Sequence, residues 1–140
     1  MAGLSILIVD DDIDTLTVLS LHLERAAFAV RWAINEQQAL RAIEDHLPNV
    51  LLIDEMLPQR DGLEVVRRVR ARYSKETLPI IMLSALGDIP EERGAGFHAG
   101  VNAYLSKPYR RDELLHQVKT LIAPSHGYFD LKNAYSEDSK

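Results

Sequence analysis

A chain of 140 residues, 46% hydrophobic and 26% charged, suits one globular domain with a buried core and leaves no room for a second. The absence of cysteine excludes disulfides, thiolate zinc sites and cysteine nucleophiles, and a net charge of -5 argues against nucleic acid as a direct partner. No apolar run reaches the roughly 18 residues of a membrane span and no signal peptide opens the chain, so a cytoplasmic protein with no membrane partner is expected.

Leu4 to Val9 is apolar and too short for a helix, and it predicts a buried strand ending at Asp10, Asp11 and Asp12. Ile13, Leu16, Leu19, Leu23 and Ala27 then recur at helical spacing, with Asp12 placed to cap the helix and Asp14 in its first turn. Phe28 to Ala33 alternates as a second strand. Asn35 can cap a helix presenting Ala39, Ile43 and Leu47, and Pro48 stops it. Val50 to Ile53 is a third strand, followed by a loop through Pro58 to Gly62 and an amphipathic helix carrying Leu63, Val66, Val69 and Tyr73. The basic cluster Arg67, Arg68, Arg70 and Arg72 winds around more than one face of that helix and reads as solvated surface.

Pro79 to Leu83 predicts a fourth strand. Pro90 to Ala99 predicts a poorer, more mobile helix, because Gly94 and Gly96 each cost about 1 kcal/mol relative to alanine. Ala103 to Ser106 makes a short fifth strand, and Leu114, Val118, Leu121 and Ile122 line a last helix ending near Pro124. Residues 1–123 form the domain on this reading, and the polar residues 124–140 are a tail or the start of a linker. The scattered histidines lack ligand spacing, and Trp32 on the second strand is expected to be core or half-buried.

Five apolar strands alternating with five helices call for an α/β fold, a parallel sheet covered on both faces, whose ligand site lies beyond the carboxyl ends of the strands. Four of those ends carry reactive side chains: Asp10 and Asp11, Asp54, Ser84, and Lys107. Three carboxylates brought together repel one another unless a hard divalent cation sits among them, and Mg2+ is the natural choice. Taken singly, each element has a plain structural explanation as a capping turn, a loop hydroxyl or a solvated charge. Their joint placement at the ends of the right strands is what points to a site.

The set Ile6 to Asp11, Asp54 to Gly62, Ser84-Ala85 and Lys107-Pro108 resembles the receiver domains of two-component response regulators, over roughly Leu4 to Ile122. The resemblance implies a flavodoxin-like, doubly wound sheet of order 2-1-3-4-5 with five helices. It implies Asp54 as phosphoacceptor, Asp11 and Asp10 as Mg2+ ligands, the latter through water, and Met56 as a backbone carbonyl ligand. It makes Ser84 and Lys107 partners of the phosphoryl oxygens, Ser84 and Tyr104 the switch, and Lys107-Pro108 a cis peptide. The implied partners are a sensor histidine kinase or phosphotransfer protein and an unidentified effector, for a switch rather than a classical enzyme.

Several positions depart from the family pattern. Glu55 adds a fourth acid, expected near the ion, and Arg60 replaces an apolar residue. Val101 to Tyr104 lacks the paired acids of the winged-helix regulators, so their dimer is not carried over and a phosphorylation-dependent dimer stays open. Apolar Met56 and Leu86 at water-gating positions imply slow self-dephosphorylation. A haloacid-dehalogenase-like phosphatase would need a second Asp where Met56 stands, and FMN phosphate would be repelled by Asp10 to Asp12.

Overall fold

The computed structural model describes residues 4–57, 61–85 and 90–126. Strands β1 (Ser5–Val9), β2 (Ala29–Ala33), β3 (Val50–Asp54), β4 (Ile80–Ser84) and β5 (Ala103–Ser106) alternate with helices α1 (Ile13–Arg25), α2 (Glu36–Asp45), α3 (Gly62–Arg70), α4 (Pro90–Ala99) and α5 (Arg111–His126). The strands pair in parallel in the order β2-β1-β3-β4-β5. Every residue of β1, β3 and β4 is buried, as an apolar run covered on both faces requires.

Strand alternation divides these residues between two cores. Leu7, Val9, Leu51, Ile53 and Met82 pack with Ile43 of α2 and Val66 and Val69 of α3. Ile6, Ile8, Leu52, Ile81 and Leu83 pack with Leu16, Leu19 and Leu23 of α1 and Leu114, Val118 and Ile122 of α5. Both expected caps are made: Asp12 accepts from the Asp14 N–H at 3.3 Å, and Asn35 from the Gln38 N–H at 2.8 Å. A third cap, Asp61 on the Leu63 N–H at 2.9 Å, starts α3.

Some details differ from expectation. Helix α1 stops at Arg25, and Ala27 lies beyond it with a left-handed φ of 74°. Ile13 and Leu47, assigned to core faces, are exposed: Ile13 is the first residue of α1, and Leu47 lies beyond the end of α2 at Asp45. The last helix continues past Pro124 to His126. Trp32 is 44% exposed on the edge strand, and its indole N–H donates to Ser20 Oγ at 2.6 Å.

Arg67, Arg68 and Arg72 are solvated and pair with Glu64, Glu36 and Glu44. Arg70 is a correction. Its part-buried guanidinium donates to the carbonyls of Gly100 (2.7 Å), Leu78 (2.8 Å), Ser74 (3.1 Å) and Tyr73 (3.3 Å) and to Asn102 Oδ1 (2.8 Å). Asn102 Oδ1 also accepts from the Ile80 N–H at 2.9 Å, so Arg70 ties the end of α3 to the segments entering β4 and β5.

Helix α4 forms despite its glycines, and Gly96 has a packing reason. A Cβ at Gly96 would overlap the Tyr104 hydroxyl, so only glycine admits that buried side chain, whose ring stands edge-on to Phe97 at 5.4 Å and 77°.

Candidate functional site

The sheet's ladder runs directly into its carboxyl edge. The Asp10 N–H bonds the Ala33 carbonyl at 3.0 Å, the Glu55 N–H the Leu83 carbonyl at 3.0 Å, and the Lys107 N–H the Ser84 carbonyl at 3.0 Å. Residues just past β1, β3, β4 and β5 are therefore held in register with one another, and side chains distant in sequence converge at fixed positions.

Carboxylate oxygens of Asp10, Asp11 and Asp54 lie within 4.8 Å of one another. Asp10 and Asp54 are buried, while Asp11 is exposed and gives the cluster an open side. Lys107 Nζ stands 3.3 Å from Asp54 Oδ2, and the Met56 N–H reaches Asp54 Oδ1 at 3.3 Å. The Lys107-Pro108 peptide is cis. A Cβ on Gly62 would come within 2.5 Å of the Asp54 carbonyl and 3.0 Å of Glu55 Cα, so glycine lets the start of α3 close against the end of β3.

The electrostatics fit a cation. Burial, reinforced by the charges of Asp54 and Asp11, pushes the Asp10 carboxyl up to about 6, although the Asp12 N–H and Lys107 favour its ionised form. Its Oδ1 accepts from Asp12 N at 2.9 Å, whereas its buried Oδ2 has no donor among the described residues. A hard divalent ion suits an orphaned buried oxygen amid an all-oxygen donor set.

Two features of the site were not legible in the sequence. Glu55, expected beside the ion, is buried and accepts a hydrogen bond from the Ser84 hydroxyl, and it lies outside the three-carboxylate group. Alternation explains this, since the residue after Asp54 points to the other side of the chain. The other is Tyr109: burial, with the charges of Asp10 and Asp54 adding, pushes its phenol up to about 12. Its only sequence signal was its position directly after Lys107-Pro108. Tyr104 is buried against α4, whereas Met56 is 72% exposed. Leu86, Pro58 and Arg60 fall outside the described residues.

The model of the response regulator receiver domain matches residues 6–119. An uncharacterised protein of 14.6 kDa from Leptolyngbya boryana is 40% identical over 119 residues, 85% of this chain and 90% of that one. The phosphate regulon transcriptional regulator PhoB of Pseudomonas aeruginosa is 35% identical over 122 residues, 87% of this chain and 53% of the regulator. The chain thus spans about half the length of the transcriptional regulators it matches. Among solved structures, the receiver domain of a sensor histidine kinase from Pseudomonas aeruginosa is 33% identical with a TM-score of 0.78, covering 87% of this chain and 99% of that one. That structure has a magnesium ion coordinated in its active-site cleft.

Proposed function

Because this chain belongs to the receiver-domain family of two-component response regulators, we propose that Asp54 accepts a phosphoryl group from a phosphohistidine and thereby switches a downstream partner. An Asp54 carboxylate oxygen attacks phosphorus as the phosphorus–nitrogen bond breaks. The bonding pair stays on the departing imidazole nitrogen, and an acyl phosphate remains. Lys107, 3.3 Å from Asp54 Oδ2, is placed to neutralise a phosphoryl oxygen, and the Ser84 hydroxyl, carried by the end of the neighbouring strand, would hydrogen-bond another once it leaves Glu55. Asp10, Asp11, Asp54 and the Met56 carbonyl are the groups that would hold Mg2+, which when bound would offset the negative charge gathering on the transferred group. Positioning and charge make up most of the protein's contribution, as phosphoryl transfer requires.

The observation that carries the reading is the buried Asp54 carboxylate between a lysine ammonium and two further aspartates. A sensor histidine kinase or phosphotransfer protein is the donor, in the cytoplasm. Residues 1–123 are the switching unit, and 124–140 are a polar tail or the start of a linker. Movement of Ser84 toward the phosphoryl group, with Tyr104 adjusting against α4, would change the face built by α4, β5 and α5, which then engages an effector or a second copy. The exposed Met56 thioether cannot orient an attacking water, which supports a slow return to the unphosphorylated state.

Acetyl phosphate with Mg2+ should add one phosphoryl group to the wild-type chain, seen by intact-protein mass spectrometry, and none to Asp54→Asn. Undiminished labelling of the variant would move the acceptor elsewhere.

A further inference from the structure

We infer that Glu55 is a latch on the switch: its carboxylate holds the Ser84 hydroxyl in the resting state and opposes transfer of that hydroxyl to the phosphoryl group. The inference rests on the phosphoacceptor reading above. Ser84 is 1% exposed and Glu55 7% exposed, and the hydroxyl donates to Glu55 Oε1. The backbone fixes both ends of this contact. Asp54 pairs with Leu83 across the β3–β4 ladder, the Glu55 N–H bonds the Leu83 carbonyl at 3.0 Å, and the Glu55 carbonyl accepts from the Gly62 N–H at 2.7 Å. The two side chains thus meet across neighbouring strands at the last rung before the site.

A hydroxyl bonded to a buried carboxylate is held more strongly than one bonded to a neutral acceptor, because the acceptor carries charge and little water competes for it. Moving Ser84 to the phosphoryl group exchanges one anionic acceptor for another and takes one hydrogen-bond donor away from a buried carboxylate. Glu55 therefore biases the protein against the phosphorylated arrangement and sets a threshold for switching. It is a positioning residue, acting on the phosphoryl site through Ser84.

The acyl phosphate is mimicked by beryllofluoride with Mg2+, and its affinity is read by isothermal titration calorimetry on the full chain. Replacing Glu55 with methionine, of similar length but no acceptor, should tighten binding about tenfold. Glu55→Gln, which keeps a neutral acceptor, should give a smaller gain in the same direction. In a Ser84→Ala background both substitutions should have no effect, since nothing is left to hold.

Unchanged or weaker binding in the Ser84-containing variants would overturn the latch. So would a gain that persists in the Ser84→Ala background, which would assign Glu55 to direct repulsion of the anion. If wild-type protein fails to bind beryllofluoride, or binds it equally well as Asp54→Asn, the phosphoacceptor reading itself has failed.

Discussion

Asp10→Asn should make the metal-free protein more stable at neutral pH while removing its affinity for Mg2+. The carboxyl titrates near 3.8 when unfolded and is raised to about 6 in the fold, first by burial and then by Asp54 and Asp11. Below the lower value both states hold the proton and the site costs nothing. Between the two values the fold keeps a proton that the unfolded chain releases, so stability falls as pH rises, and the full penalty is present above the higher value. At about 1.4 kcal/mol per pH unit the ceiling is about 3 kcal/mol, and water entering beside exposed Asp11 screens part of it, leaving about 1–2 kcal/mol. Asparagine retains the oxygen that accepts from the Asp12 N–H, and its neutral amide N–H2 replaces an unpartnered buried oxygen with a donor that faces the Asp11 and Asp54 carboxylates. Urea unfolding of both proteins in chelator across pH 4 to about 8 checks this. The variant should lead at the upper end, and the gap should close as pH falls through about 6 toward 4. A variant less stable than wild type near neutrality, or a gap independent of pH, would refute the reasoning.

Arg70→Ala should destabilise the fold by about 3 kcal/mol in urea unfolding, because it strips charged donors from Gly100, Leu78, Ser74, Tyr73 and Asn102 at once. Arg70→Lys should recover less than half of that loss, since a point charge cannot span those acceptors. The phosphorylated protein, purified away from donor, should keep its label well beyond a few minutes by mass spectrometry, and loss within seconds to a few minutes would remove the argument from Met56.

The strand ends were legible because each site residue directly follows an apolar run, and the parallel arrangement sends all those ends to one edge. Asp10, Asp11, Asp54, Ser84 and Lys107 are gathered on that ground by the sequence alone, and the fold brings the three carboxylates and the lysine together. Arg70 could not, because among four arginines its neighbours predict the same surface fate, and only the approach of the Gly100–Asn102 turn to the end of α3 distinguishes it. Glu55 was misplaced for a related reason. Proximity in sequence to Asp54 suggested proximity to the ion, while strand alternation turned the side chain toward Ser84. Ile13 and Leu47 fit helical periodicity, but periodicity does not say where a helix begins or ends.

Gly96 and Tyr104 amount to one unit of substitution. The helix supplies an absence at 96, and the strand fills it with a phenol, so neither position can be altered on its own terms. Enlarging the first evicts the second, and shrinking the second frees the first to become an ordinary helix-forming residue. The two arrangements would present different surfaces beside the half-exposed Phe97.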